Sequence, residues 1–364
     1  MRPQTQAGAV LTCRKDRGQE DWRGILKGGF ACAGDLPPEL ATAGKAVEAV
    51  RSVYPMSVNA YYAGLISRPD DAIARQVIPD SRELEDTGLD DDPLAENQQS
   101  PAPGIIHRYP DRVIFLVSGR CPVLCRFCMR KRMAGRSAGP TPAGMKTALA
   151  YIQGNTAIRE VILSGGDPFM LEDRALDRVL QSIRDFSHVR TIRIHSRVPC
   201  ALPQRVTDEL AAMLKKYHPL YVNIHFNHPD EVTETAARAC ARLADAGIPL
   251  GSQTVLLRGI NDSPEVMARL MRALLAIRVR PYYLHHPDLV KGTAHFRVSI
   301  REGLTIMEAL QGRLPGTAIP RYMIDLPGGG GKVPLQPEYV REAAGGVLTV
   351  RNFKGDLFEY PLDA

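Results

Sequence analysis

The chain has 364 residues, 44% of them hydrophobic, with 46 Lys and Arg against 40 Asp and Glu and a formal charge of +6. That size and apolar content suit one large globular domain or two to three smaller ones, and the cations are spread among the anions, which argues against a nucleic-acid binder. No apolar run reaches the roughly 18 residues of a membrane span, and the opening MRPQTQAGAVLTCRKDR has too short an apolar stretch for a secretory signal, so a cytoplasmic chain without membrane partners is expected.

Residues 1–105 carry helix-like stretches such as PPELATAGKAVEAVRSVYP, then the acidic, Pro-containing SRELEDTGLDDDPLAENQQSPAPG, which reads as an exposed connector. From Arg112 the short runs RVIFLVS, EVILSGG, TIRIHSR, LYVNIHF, GSQTVLL and RPYYLHH alternate with helical stretches such as EDRALDRVLQSIRDF and SPEVMARLMRALLAI. Six strand–helix units with near-continuous apolar strands predict an α/β fold, an incomplete (β/α)6 barrel spanning 106–315. A helical region (1–105) precedes it and a short glycine-rich C-terminal segment (316–364) follows. Barrels of this kind keep their chemistry at the C-terminal ends of the strands.

Three of the seven cysteines lie in CPVLCRFCMRKR, on the loop expected after the first strand. An odd cysteine count without an export signal argues for reduced thiols. A structural zinc site would need a fourth ligand, and no second CxxC or HxxxH follows. Incidental thiols would not gather on one loop among Arg126, Arg130, Lys131 and Arg132. A [4Fe-4S] cluster held by Cys121, Cys125 and Cys128 leaves one iron open to the amino and carboxylate groups of a small molecule. The CxxxCxxC spacing resembles that of the radical S-adenosylmethionine (SAM) enzymes. In LSGGDP, Ser164, Gly165, Gly166 and Asp167 end the second strand, where glycine leaves the backbone open to a ligand. With Ser196, His225 and Gln253 on the next three strands, they are candidate SAM contacts.

The second element of chemistry is IDLPGGGGKVPL. A phosphate-binding loop fails here, because Leu326 and Val333 stand where its Gly and Ser or Thr belong. Lys332 on a side-chain-free loop could instead reach into the barrel mouth and form a Schiff base with pyridoxal 5'-phosphate (PLP).

Taken in order, HRYPDRVIFLVSGRCPVLCRFCMRKRMAG, LSGGDP, NIHFNHP, RPYYLHHPDLVKGTAHF and DLPGGGGK resemble the lysine 2,3-aminomutase family of PLP-dependent radical SAM enzymes over residues 50–355. The resemblance implies an open radical-SAM barrel and migration of an amino group from the α to the β carbon of an amino acid. Lys332 would hold PLP, Arg108 and Arg112 would flank its phosphate, and Arg130 would clamp the substrate carboxylate. Asp288 and Asp325 match two aspartates that hold the side-chain ammonium of lysine, so L-lysine is the expected substrate. An aminomutase for arginine or glutamate, or a non-catalytic iron–sulfur or PLP-binding protein, are the alternatives. An electron donor such as flavodoxin or ferredoxin and a homo-oligomer are also implied. His285 and Pro287 replace the Tyr and Cys of many lysine-type members, and Ser263 replaces a Cys, so an intersubunit zinc site is not expected. Cys13, Cys32, Cys200 and Cys240 read as ordinary thiols.

Overall fold

The fold is that of a computed structural model describing residues 21–37, 40, 44–86, 88–136, 139–344 and 347–362, so Cys13 lies outside the described residues. Four short helices come first: α1 (Trp22–Lys27), α2 (Gly44–Val53), α3 (Ala60–Ala63) and α4 (Ala74–Val77). They share one continuous apolar core with the strands, through Trp22, Val47, Tyr62 and Val77. Asn59 caps α3 by accepting from the Tyr62 N–H, and its own amide donates to the carbonyls of Pro122 and Ala201. A helix cap thereby ties the N-terminal region to the cysteine loop.

Then come β1 (Ile105–Tyr109), β2 (Arg112–Ser118), α5 (Pro142–Gly154), β3 (Glu160–Gly165), α6 (Asp173–Arg184), β4 (Thr191–Ser196), the short α7 (Val198–Ala201) and α8 (Asp208–Lys215). They are followed by β5 (Leu220–Ile224), α9 (Glu234–Asp245), β6 (Leu250–Val255), α10 (Pro264–Ala276), β7 (Arg280–His285), α11 (Ile300–Leu310), β8 (Arg321–Leu326) and β9 (Gly331–Pro334). These helices show why they form. In α6, Leu176, Val179, Leu180 and Ile183 make one buried stripe at helical spacing. Ser263 is the N-cap of α10, accepting from the Val266 N–H ahead of Pro264.

The nine strands form one sheet in sequence order, with β2 to β8 parallel and β1 and β9 antiparallel at its two margins. The six expected strand–helix units are β2 to β7 with their helices, and the chain adds β8 as a seventh parallel strand. Residues 321–326 therefore belong to the sheet and not to a trailing segment. The margins meet without a ladder, where the Lys332 N–H of β9 donates to the Tyr109 phenol of β1 at 2.8 Å. The barrel is thus nearly closed. A separate three-stranded sheet, β10 (Val340–Ala344), β11 (Val347–Arg351) and β12 (Leu357–Pro361), ends the described chain.

The acidic connector departs from expectation. Glu83 and Glu96 are fully buried, because each compensates cations of the cysteine loop.

Candidate active site

Cys121, Cys125 and Cys128 are free thiols on the loop that leaves β2, at the C-terminal end of the parallel strands. Backbone hydrogen bonds from Leu124 N–H to the Ser57 carbonyl (2.8 Å) and from Arg126 N–H to the Gln76 carbonyl (2.9 Å) hold this loop. Burial pushes the Cys121 thiol well above its ordinary range, and it pushes Cys128 up to about 11, with the neighbouring cysteines adding to both. These thiols repel one another as anions and need a cationic centre to become ligands. Among the described residues no three His, Cys, Asp or Glu side chains are gathered so as to hold a metal ion. Three thiols on one loop suit a [4Fe-4S] cluster with one iron left free of a protein ligand.

Buried charges support the loop. Glu83 accepts from Arg126 Nε (2.9 Å), Arg126 Nη2 (2.6 Å) and Lys131 Nζ (2.6 Å). Burial lowers Lys131 to about 8 in spite of that carboxylate. Arg130 presents its fork to Glu96 at 2.9 and 2.7 Å, leaving Nη1 directed at Ser164 Oγ, 3.3 Å away. Changing Glu96 to Gln removes the counter-charge of a buried guanidinium. A loss of about 3 kcal/mol of stability is expected, read as a lowered urea midpoint.

The LSGGDP motif packs against the cysteine loop. A Cβ on Gly165, whose φ is +124°, would lie 2.4 Å from the Ser118 carbonyl, and one on Gly166 would lie 2.4 Å from the Arg120 carbonyl. Another backbone passes against both glycines, so a side chain at either position would collide with it. The Asp167 carboxylate is also turned inward, accepting from Ser196 Oγ (2.8 Å), Arg197 N–H (2.7 Å) and Phe169 N–H (3.0 Å). Burial raises its carboxyl to about 6. Asp167 and Ser196 thus engage each other instead of standing free as separate contacts. His225 bonds Asn227 Oδ1 through Nε2 (3.1 Å) with its ring edge-on to Phe127, and burial lowers it to about 3. Gln253 is paired through its backbone in β6, but its side chain has no hydrogen bond among the described residues, which leaves the side-chain amide available.

Lys332 and Asp325 are direct partners in the β8–β9 register, so their side chains share a face, and the Lys332 amine bonds the Asp325 carboxylate. Arg108 Nη1 also reaches Asp325 (3.4 Å), while its Nε donates to Gln99 (2.8 Å). His285 Nδ1 lies 3.9 Å from Asp325, and burial, with the Lys332 charge, keeps the ring neutral. Asp288 is half-buried and has no hydrogen-bond partner among the described residues; burial and the Asp325 charge raise its carboxyl to about 7. Arg112 stands apart, paired with Asp111 and stacked 3.9 Å over the Tyr109 ring at the start of β2. It meets the group only through Tyr109.

A model of the radical SAM superfamily matches residues 115–271, and one for lysine-2,3-aminomutase matches residues 307–363. The L-lysine 2,3-aminomutase of Methanococcus maripaludis is 48% identical over 85% of this chain and 72% of its own. That of Clostridium subterminale is 46% identical over 84% of this chain and 74% of its own. The chain belongs to the lysine 2,3-aminomutase family. A glutamate 2,3-aminomutase of Clostridioides difficile is also similar, at 42% identity over 86% of this chain and 75% of its own. As a member of the family the protein is an isomerase, an amino acid 2,3-aminomutase whose cofactors are a [4Fe-4S] cluster, SAM and PLP.

The residues present fit those cofactors. Arg197 Nη1 donates to Cys125 Sγ at 2.6 Å, a buried cationic donor suited to a cluster sulfur, and its Nε–H is buried without a hydrogen-bond partner. The side chains of Gln253 on β6 and Asp288 beyond β7 are likewise without a hydrogen bond among the described residues. The Lys332 side chain is 30% exposed, accessible enough to meet an aldehyde. Glu96, Glu83 and Arg197 carry no motif of their own. The only hint in the sequence is the run of cations around the cysteines, which cannot be buried without acids to compensate them.

Proposed function

We propose that the enzyme moves the α-amino group of L-lysine to its β carbon, and that the unpartnered Asp288 carboxylate beside Asp325 is the observation that carries this choice. Two carboxylates at one end of a pocket attract a side-chain ammonium and repel the side chain of glutamate. Cys121, Cys125 and Cys128 hold the cluster, and Lys332 holds PLP. When bound, the cluster with SAM supplies the 5'-deoxyadenosyl radical, and PLP supplies a conjugated system that spreads the unpaired electron during nitrogen migration.

The chain's own groups bind and orient. Arg130 offers Nη1 to the substrate carboxylate while Glu96 holds the rest of its fork in place. Arg108, anchored by Gln99, and Arg112, on the Tyr109 ring, provide positive charge for the cofactor phosphate. Gln253 and His225, with Ser164, Gly165, Gly166, Asp167 and Ser196, would line the SAM site beside the loop that carries the cluster. Neutral His285 beside Asp325 adds no charge to compete with the substrate ammonium. A small electron carrier of the flavodoxin or ferredoxin type delivers the electron, and the enzyme works in the cytoplasm as a homo-oligomer. No helix among the described residues is long and apolar enough to cross a membrane.

The test is an anaerobic assay with lysine, arginine, ornithine and glutamate. Lysine is expected to give the highest kcat/KM, and equal turnover of glutamate would overturn the assignment. Asp288→Asn should raise the KM for lysine by about 30-fold, equivalent to about 2 kcal/mol for losing one partner of a desolvated charge pair. The ammonium binds only the ionised carboxylate. Because the Asp288 carboxyl of the free protein sits at about 7, the KM of the wild type should fall as pH rises through about 7, and the Asn variant should lose that step.

A further inference from the structure

Arg197 follows Ser196 directly and is buried, 6% exposed, at the back of the cysteine loop. Its Nη1 donates to Cys125 Sγ at 2.6 Å. Its Nη2 donates to the Tyr62 phenol (2.9 Å), Gln76 Oε1 (2.5 Å) and Glu231 Oε1 (2.8 Å), and its Nε–H has no partner. The guanidinium also lies against the rings of Tyr62 and Phe127, 5.2 and 5.4 Å from their centroids. Its backbone N–H is held by Asp167. The guanidinium is thus fixed from several directions, with one amino group held against the Cys125 sulfur.

We propose that Arg197 is a positioning residue that sets the reduction potential of the cluster, by donating through Nη1 to the Cys125 sulfur. Adding one electron makes the cluster more negative by one charge and moves no proton or bond in Arg197. A fixed cationic donor therefore stabilises the reduced form more than the oxidised form and raises the potential. Glu231, buried and hydrogen-bonded to the Arg197 fork and to the backbone of Asn227 and His228, moderates that field. The pair gives two opposite handles on one quantity.

The inference rests on the three cysteines holding a cluster, and failure of that reading would show separately, as missing iron–sulfur absorption in the wild type. The experiment is a potentiometric titration of anaerobically reconstituted enzyme, followed by the electron paramagnetic resonance signal of the reduced cluster. The double change Arg197→Gln with Glu231→Gln, which leaves no lone buried charge, should lower the reduced-to-oxidised ratio at a fixed ambient potential about tenfold, a shift of about 59 mV for one electron. Glu231→Gln alone keeps the guanidinium, removes its counter-charge and should shift the ratio the other way. An unchanged potential in the double variant with full cluster content overturns the proposal. If the double variant does not load a cluster, an unchanged potential in Glu231→Gln overturns it equally.

Discussion

Changing Cys128 to Ala should abolish turnover and the iron–sulfur absorption together. Cys128 is half-buried in the loop beside Cys121 and Cys125, and desolvation and these neighbours keep its thiol protonated until a metal centre binds. Two remaining thiols cannot hold a cluster that already leaves one iron without a protein ligand. The fold itself should survive, because removing one sulfur from a half-buried position costs only about 1 kcal/mol, and the loop keeps its backbone ties to Ser57 and Gln76. The measurement is iron and sulfide content, the visible spectrum and 5'-deoxyadenosine formation in anaerobic enzyme. A variant with normal cluster content would show that the site is something else.

Lys332→Ala should lower turnover by on the order of 10^3-fold or more, while the iron–sulfur absorption stays intact. This separates the two sites. The amine sits opposite Asp325 on β9 and is the only lysine side chain reaching that carboxylate among the described residues. Without it PLP has no covalent anchor, so the cofactor absorption band should vanish from the purified protein. Retention of both the band and full turnover would remove Lys332 from the chemistry. Stability should change little, since the residue is partly exposed and Arg108 still faces Asp325.

The barrel was legible because burial on both faces of a parallel sheet writes apolar runs such as EVILSGG and LYVNIHF plainly, and the helices between them keep their stripe and caps. The thiol triad was legible because one short loop contains it. Strand β8 was not read as part of the sheet, since RYMIDL opens on a charge and runs into glycines. Gly165, Gly166, Asp167 and Ser196 have protein neighbours that no local pattern shows. The glycines lie against the backbones of Ser118 and Arg120, and the carboxylate and hydroxyl bond each other. Glu83 and Glu96 lie in a stretch whose acids and prolines resemble solvent-exposed chain, because charged residues are rarely buried without a partner. Their partners are 34 to 48 positions away in sequence, a distance that no local pattern spans.

Those long-range pairs bear on how the molecule can be shortened. A version starting at β1 would retain every strand and all three thiols, yet Arg126, Arg130 and Lys131 would be stranded in an apolar setting with no acid to neutralise them. The barrel is therefore not a severable module. The segment that carries Glu83 and Glu96 acts as the counter-ion shell of the loop, and any minimal enzyme carved from this chain must carry that shell along or redesign the three cations.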